Sequence, residues 1–365
     1  MALNKYRITY GTTYLGTKNF NVGQKIELLN PFINLSLVPG NRPLLDPYPT
    51  TVGGQSFNYI GPNGVFKKAD GTYVLLVNVV FGAHASRDIY YCTSPDLENW
   101  TFPDIKLLDT STISGAQNPG NVFSVGNPYK LSNGNWLFLC GIQRTNGNYS
   151  GGYFVLNDSL SIVTAPTYLN FDGWNSTSKN YFPLALTYYN GRFRMFIHDR
   201  ADNVDLNKSS IEYTWAVTES DSNLINCLNG TTTYSNKATV FDANVDSNFL
   251  RGKVDDIAYV DDGNELNIIF GSEEEPNSGW VTSNNREYGL ASSPGTGSSW
   301  GFDTRSPLII TPMQFFRKYP ELDFWWDHIG GFISPIRKGN HLYIFFAAGD
   351  DNPDYWLAGM KIPIS

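Results

Sequence analysis

The chain carries little charge for its size, and most of that charge is negative. Lys, Arg, Asp and Glu make up 16% of its 365 residues, against roughly 25% in a typical soluble domain. With 26 Lys and Arg against 34 Asp and Glu, the formal net charge is −8. Tracking nucleic-acid phosphates needs clustered cations. The composition therefore argues against a nucleic-acid partner.

Long apolar runs are also missing. The longest, residues 73–83, is interrupted by Asn78 and is shorter than the roughly 20 residues that span a bilayer. The first residues, Met-Ala-Leu-Asn-Lys-Tyr-Arg, lack the apolar stretch of a signal peptide. We therefore expect neither membrane insertion nor a signal peptide within this sequence.

Cysteine is scarce, and nucleotide-binding motifs are absent. The three cysteines, Cys92, Cys140 and Cys227, are too few for a disulfide framework and lack Cys-x-x-Cys spacing. Cys92 and Cys140 fall in apolar runs, which predicts buried thiols. No Walker loop, dinucleotide fingerprint or Gly-x-Ser-x-Gly elbow occurs. We expect no organic cofactor and no catalytic metal.

Helical periodicity is nearly absent as well, and aromatic and amide residues are abundant instead. The chain has 9 Trp, 22 Tyr, 23 Phe and 37 Asn. Apolar residues occur in short runs separated by Asn-Gly, Asp-Gly and Gly-Asn turns. This pattern is typical of hairpin-connected strands and predicts an all-β protein.

An internal repeat organises these strands. Each unit has an apolar strand, a turn ending in Gly, a second apolar strand and often a third. Five such units of about 60 to 75 residues predict a five-bladed β-propeller, with a β-sandwich as the alternative. The five turn glycines are Gly71, Gly134, Gly191, Gly263 and Gly339.

The repeat gives a domain prediction. We expect one propeller domain over residues 1–365, with blades at roughly 56–115, 116–176, 177–246, 247–320 and 321–365. Residues 1–55 precede the first repeat. We expect this N-terminal extension to contribute a closing strand to the last blade, from within residues 6–15, because closure protects sheet edges.

The first repeat resembles the β-fructosidase (invertase) family, whose first blade opens with Asn-Asp-Pro-Asn-Gly. Here residues 61–64 read Gly-Pro-Asn-Gly, followed by a turn and an aromatic strand. Residues 93–100, Thr-Ser-Pro-Asp-Leu-Glu-Asn-Trp, look like the Ser-x-Asp-Leu-x-x-Trp turn that ends blades in this family and in the related five-bladed arabinanase/xylosidase family. Residues 136–141 resemble the second-blade strand of the fructosidases, so the resemblance covers roughly residues 55–365.

The resemblance implies three catalytic carboxylates around a central funnel: an Asp nucleophile, a Glu acid/base and an Asp that holds the sugar. The matching positions here are Gly61 for the first-blade Asp, Asn127 for the second-blade Asp and Tyr181 for the Glu. Gly has no side chain, Asn cannot ionise, and Tyr titrates near pH 10. The sequence therefore predicts that fructosidase-type hydrolysis is absent.

Other carboxylates open the later repeats. Asp255 and Asp256 begin the fourth unit, Asp327 begins the fifth, and Glu273 follows the second strand of the fourth. Near the axis, such groups would supply a relocated acid/base pair. The alternative is that they bind loop amides or water.

Sugar binding needs amides for hydroxyls and aromatic rings for the apolar sugar face. The sequence offers a set of candidate binding residues with these properties, Asn63, Asn127, Tyr181, Trp325, Trp326 and His328. The segment His198-Asp199-Arg200 is expected to follow a strand, as a loop ion-pair cluster or a ligand contact. Asp242-x-Asn244-x-Asp246 starts like an EF-hand but lacks its Gly and final Glu, which leaves only a simpler structural calcium site open.

Three functional hypotheses follow. The first is a carbohydrate-recognising protein that binds a glycan in the central funnel without fructosidase-type hydrolysis, in an extracellular or virion-associated setting. The second is a glycoside hydrolase with a relocated pair among Asp255, Asp256, Asp327 and Glu273. The third is an interaction propeller that uses another face for protein partners. No pattern in the sequence indicates an oligomeric state.

Overall fold

A computed structural model describes residues 9–10, 13–14, 36–38, 43–45, 49–82, 86–108, 113, 116, 122–176, 180–199, 209–242, 252–261, 266–274, 286–293, 300–302, 328–349 and 355–363. These residues form strands almost throughout, as the alternating pattern predicts. A short helix, α1 (Asp221–Leu228), starts at the N-cap Ser220, whose side chain accepts a hydrogen bond from the backbone N–H of Asn223.

The strands are arranged in five blades, after a small hairpin of β1 (Thr9–Tyr10) and β2 (Thr13–Tyr14). Blade 1 contains β4 (Tyr59–Lys67), β5 (Tyr73–Phe81) and β6 (Ser86–Ser94). Blade 2 contains β7 (Val122–Lys130), β8 (Trp136–Gln143), β9 (Tyr149–Leu156) and β10 (Ile162–Tyr168). Blade 3 contains β11 (Tyr181–Tyr189), β12 (Arg192–Asp199), β13 (Ser209–Trp215) and β14 (Asn236–Asp242).

Blade 4 contains β15 (Gly252–Asp261), β16 (Leu266–Glu274), β17 (Arg286–Ser293) and β18 (Gly301–Phe302). Blade 5 contains β19 (His328–Lys338), β20 (His341–Gly349), β21 (Tyr355–Pro363) and the early strand β3 (Ser36–Val38). All pairings are antiparallel, and the inner strands β4, β7, β11, β15 and β19 contact one another in a closed ring. The chain is thus a five-bladed β-propeller, which confirms the predicted fold.

The N-terminal extension does contribute the strand that completes blade 5, but this strand lies later in the chain than the expected one. Within residues 6–15 the described parts are β1 and β2, which pair with each other. The outer edge of β21 pairs instead with β3, through Gly359 opposite Val38. The next segment is fixed there too, because the backbone N–H of Leu44 donates to the carbonyl of Leu357 (2.9 Å). Val38, Leu44 and Leu45 thereby become buried between blades 5 and 1.

The core lies between neighbouring blades, since each blade is apolar on both faces. Buried clusters join blades 1 and 2, blades 2 and 3, blades 3 and 4, and blades 5 and 1. Cys92 and Cys140 lie in two of these clusters, and all three cysteines are buried free thiols, which confirms the prediction made for the first two.

The inner strands approach each other closely at the axis. Each contains a break in its ladder register, which lets the backbone bulge out of the sheet. A Cβ atom on Gly64 would lie 2.5 Å from the carbonyl oxygen of Gly126, and one on Gly126 would lie 2.5 Å from that of Leu184. Glycine is therefore required where blades 1, 2 and 3 meet, and both glycines also have positive φ angles.

We call the end where the inner strands begin the mouth, and the end with the hairpins between first and second strands the base. At the base, three carboxylates bind the preceding blade. Glu98 accepts hydrogen bonds from Lys361 Nζ (2.7 Å) and Tyr343 Oη (3.1 Å). Asp158 accepts the backbone N–H of Ala69 (3.1 Å). We call these contacts, with a third between Asp221 and Ser132 (2.9 Å to the backbone N), the base clasps.

Candidate functional site

In blades 3 and 4, the mouth connections between second and third strands are longer than the base hairpins between first and second strands. At the base, the hairpins of blades 3 and 5 close within residues 190–191 and 339–340. At the mouth, residues 200–208 and 275–285 separate second from third strands in blades 3 and 4. Long connections on a rigid scaffold are the usual place for binding and catalytic residues. The mouth is therefore the candidate site.

The acidic residues of the inner strands belong to one blade. Of the five inner strands, all of which are described, only β15 contains Asp or Glu. Its register breaks between Val254 and Asp256, so that Asp255 falls within the bulge and Asp256 pairs with Gly271. The structure thus brings two of the predicted acids to the mouth end of blade 4.

Asp256 is a buried carboxylate with a defined setting. Its side chain is only 7% exposed. A Cβ atom on Gly271 would lie 3.1 Å from Asp256 Oδ2 and 2.8 Å from a ring carbon of Tyr288. Gly271 therefore provides the space in which the side chains of the strands on either side, Asp256 on β15 and Tyr288 on β17, come together.

For the other predicted acids and their neighbours, the structure gives a strand position or nothing. Glu273 lies within β16 and does not follow it as expected; it is opposite Lys253 on one side and Arg286 on the other, two residues from the partner of Asp256. His328 begins β19, the inner strand that contacts β15. Asp327, Trp325 and Trp326 lie outside the described residues. Asp255, Asp256, Glu273 and His328 thus share the mouth end of neighbouring blades, and their catalytic and binding roles stay predictions.

Asn127 joins blades to each other. Its Oδ1 accepts the backbone N–H of Val65 (3.1 Å), and its Nδ2 donates to the carbonyl of Pro335. Beside it, the backbone N–H of Gly64 donates to Ser334 Oγ (2.8 Å). The amide proposed as a sugar contact therefore bonds blade 2 to blades 1 and 5.

Asn63 and Tyr181 are both buried. Asn63 is 2% exposed, and its Nδ2 donates to the carbonyl of Gly61 (3.4 Å). The Tyr181 ring lies 4.4 Å from the Trp174 ring, and a Cβ on Gly151 would be 2.9 Å from it. Burial raises the pKa of Tyr181 above its usual value. Its contacts are those of a packing residue, and its role as a sugar contact is untested.

The sequence treats Pro62, Pro128 and Pro183 as equivalent positions, but the strand register sets Pro128 apart from the other two. Pro62 and Pro183 are each the last paired residue before the bulge of their strands. In β7 that place belongs to Val125, and Asn127-Pro128 lies inside the bulge. The match of Asn127 to a family carboxylate therefore remains a prediction from sequence, because a bulge cannot be read from a short motif.

Sequence reasoning missed an aromatic group at the mouth between blades 2 and 3. The rings of Phe123 and Phe182 are 5.4 Å apart, and Tyr149 lies 5.5 Å from Phe123 and 6.3 Å from Phe182. Phe123 is buried, but Tyr149 and Phe182 are half-buried. We call these three residues the mouth aromatics. Their only signal in the sequence is that Phe123 and Phe182 each follow the first residue of an inner strand.

Charged and imidazole groups surround the mouth aromatics. The Arg87 guanidinium lies 5.2 Å from the Phe123 ring centre. His198 is fully buried, with its ring 5.0 Å from that of Phe182. His198 and Asp199 form the end of β12 opposite Phe182 and Tyr181, so the expectation that they follow the strand is wrong. The backbone pairing of β12 continues from Ile197 through His198 and Asp199.

The described residues contain no group of three or more His, Cys, Asp or Glu able to hold a metal ion. Of the calcium-like segment, Asp242 ends β14, and the other two positions lie outside the described residues. Among the described helices, none is long and apolar enough to cross a membrane.

Comparison with solved structures shows what this fold resembles. An α-L-arabinofuranosidase from Podospora anserina, in complex with cellotriose, matches at a TM-score of 0.57 and 12% identity, covering 90% of this chain and 96% of its own. A thermostable family-43 glycoside hydrolase matches at 0.56 and 12%, covering 86% and 91%. A sucrose-6-phosphate hydrolase from Lactobacillus gasseri matches at 0.52 and 11%, covering 92% of this chain and 62% of its own.

The chain thus has the five-bladed propeller fold of these glycosidases, which confirms the structural part of the resemblance seen in its sequence. At these identities the likeness concerns the fold. The sequence has no significant match among protein-family models or curated proteins.

Proposed function

We propose that this protein recognises a glycan at the mouth of the propeller and does not hydrolyse it by the fructosidase mechanism. One observation carries the proposal: of the five inner strands, only β15 holds carboxylates. Glycoside hydrolysis needs two carboxyl groups about 5 to 9.5 Å apart on either side of the scissile bond. Strands β4, β7 and β11, which the family resemblance makes catalytic, supply none.

The mouth aromatics support sugar recognition. The half-buried Tyr149 and Phe182 present ring surface at the mouth end of blades 2 and 3. Such surface stacks against the apolar face of a sugar, and neighbouring polar groups bind its hydroxyls. The low charge of the chain suits a neutral glycan. Similar solved structures include one in complex with cellotriose, and a cell-surface or virion setting would present such glycans.

A binding and turnover experiment tests this proposal. The full chain is screened on a glycan array, and the best neutral glycan is titrated by calorimetry while released reducing sugar is measured. We expect saturable binding without product. Tyr149→Ala removes a stacking ring and should weaken binding by about 3- to 10-fold. Tyr189→Ala, a half-buried tyrosine at the base end of β11, is the matched control and should not.

A second function is favoured by one specific feature. The register gathers Asp255, Asp256 and Glu273 at the mouth end of blade 4. A hydrolase that takes both its acids from this blade would release product, and Asp256→Asn would abolish that release. Product formation with this dependence would replace the binding proposal by a glycoside hydrolase. Absence of any glycan ligand would favour the interaction propeller.

A further inference from the structure

A cleft of about 230 Å³ opens at the mouth end of blade 1, away from the axis. It lies beside β6, the third strand of the blade. Asp88 on β6 lies opposite Val79 on β5, and Val79 lies opposite Ile60 on the inner strand β4. Two strand spacings of roughly 4.8 Å therefore separate it from the inner strand. The cleft is distinct from the mouth aromatics, which lie between blades 2 and 3.

The cleft exists because the described part of blade 1 has three strands. The other four sheets have a fourth, outer strand. Along β6 that place is taken in part by a passing segment, whose Leu107 N–H donates to the carbonyl of Ile89 (2.8 Å). A narrow hairpin, Val52 paired with Gln55, forms the facing wall. The residues that the structure describes leave the space between the hairpin and the strand open.

The two walls are held together at the rim. The backbone N–H of Gly53 donates to Asp104 Oδ1 (2.8 Å). Both residues have positive φ angles, 56° each, which Asp tolerates better than most residues. A Cβ on Gly53 would lie 2.9 Å from the Tyr90 hydroxyl, so a larger residue would intrude on the floor of the cleft.

The lining has an apolar floor and a polar rim. Val52, Phe81 and Tyr90 are buried side chains that form the floor. Burial raises the pKa of Tyr90, which keeps its hydroxyl neutral. At the rim, Lys106 pairs with Asp88 (2.8 Å) and is 42% exposed. Ammonium, carboxylate, carboxamide and phenol groups thus surround a floor of mostly buried apolar carbon, and the charged groups of the lining sum to −1.

We propose that this cleft binds a single neutral sugar ring, as a second saccharide site separate from the mouth. Its volume is just below the roughly 300 to 1,000 Å³ of sites for drug-sized ligands, which limits it to one small ring. Its net negative charge disfavours an anion, and both carboxylates are already engaged, Asp88 by Lys106 and Asp104 by the Gly53 N–H, which disfavours a cation. A neutral polyol with an apolar face satisfies both rim and floor. The proposal does not depend on glycan binding at the mouth.

The test measures binding of the methyl glycosides of glucose, galactose, mannose and arabinose to the full chain by saturation-transfer NMR titration. At least one should bind, and Lys106→Met should weaken it at least fivefold, because a charged donor to a sugar hydroxyl is lost. Lys68→Met is the matched control: it removes the same group from an exposed pair with Asp70 at the base, and binding should not change. Gln55→Trp, which fills the cleft from an exposed position, should abolish binding.

The mouth variant separates the two proposals. Tyr149→Ala should leave glycoside binding at the cleft unchanged. Binding that Tyr149→Ala removes and that Lys106→Met and Gln55→Trp leave intact would place the sugar at the mouth and overturn the cleft proposal. Binding only of glucosamine or only of glucuronate, included as charged probes, would overturn it, as would no binding of any methyl glycoside.

Discussion

The base and the mouth of this propeller use polar residues in opposite ways. At the base, carboxylates bind the preceding blade, as Glu98 does with Lys361 and Asp158 does with Ala69. At the mouth, the acidic residues of the inner strands belong to blade 4, and aromatic rings meet between blades 2 and 3. The difference indicates that charge at the base holds neighbouring blades together, whereas the mouth is where we propose that a glycan binds.

The base half also contains a buried ion pair. Arg194 and Glu212 are fully buried, with Nε to Oε1 at 2.7 Å and Nη2 to Oε2 at 3.0 Å. Tyr259 and Trp300 of blade 4 donate to the same carboxylate, at 3.1 and 2.9 Å. This network fastens blade 3 to blade 4, where no base clasp is described.

Breaking that pair should have the largest effect on stability. Glu212→Leu leaves the Arg194 guanidinium buried without its partner, and we expect a loss of about 3–5 kcal/mol in the free energy of unfolding, measured in urea. The double variant Arg194→Met with Glu212→Leu removes both charges and should recover most of the loss. Equal destabilisation of the single and double variants would contradict a role for the charge pair.

Substitution of an axial glycine should have the second largest effect on the free energy of unfolding. Gly126→Ala places a Cβ against the Leu184 carbonyl and demands a positive φ, so we expect a loss of about 2–4 kcal/mol. Gly134→Ala is the control, since it has a positive φ but no atom within 4 Å of the added Cβ, and it should cost about 1–2 kcal/mol. Similar losses in both would show that backbone strain, not axial contact, dominates.

A single base clasp should contribute less. Asp158→Ala removes the acceptor for the Ala69 N–H on an exposed turn, and we expect a loss of about 1 kcal/mol in urea unfolding. Asp158→Asn keeps an acceptor oxygen and should lose little. If Asp158→Asn is as unstable as Asp158→Ala, the negative charge rather than the hydrogen bond holds the clasp.

Lowering the pH should cause the smallest of these losses in the free energy of unfolding, through Asp96 at the base of the propeller. Partial burial opposes ionisation of Asp96, but hydrogen bonds from Asn99, Glu98 and Ser94 lower its pKa to about 2. Because the folded pKa is below the unfolded one, this stabilisation is present above about pH 4 and is lost as the pH falls towards 2. Between pH 5 and 2, the wild type should lose at most about 1 kcal/mol more than Asp96→Asn. Parallel pH profiles would contradict this.

The sequence predicted the repeated part of the fold better than the parts that depend on contacts between blades. Five strand–turn–strand units identified the blades. The closing strand was misplaced because pairing to the edge of β21 depends on burial of Val38 and the residues after it. The burial of Tyr181 depends on Trp174, which precedes it in the chain and folds against it.

The candidate site shows the same limit. The sequence pointed to the acids of blade 4 because Asp255 and Asp256 open the fourth repeat and Glu273 lies near the end of its second strand. The mouth aromatics were missed because Phe123, Tyr149 and Phe182 meet only when blades 2 and 3 pack together. The hydrogen bonds of Asn127 to blades 1 and 5 could not be predicted, because Asn127 lies in a bulge that the sequence does not show.

A crystal structure of the full chain with the glycan selected by the array tests the central claim most directly. The account predicts an intact glycan at the mouth, with one sugar ring against Tyr149 or Phe182 and the base clasps unchanged. An intact glycan bound at the base, or a cleaved glycan with its new end beside Asp256, would contradict it.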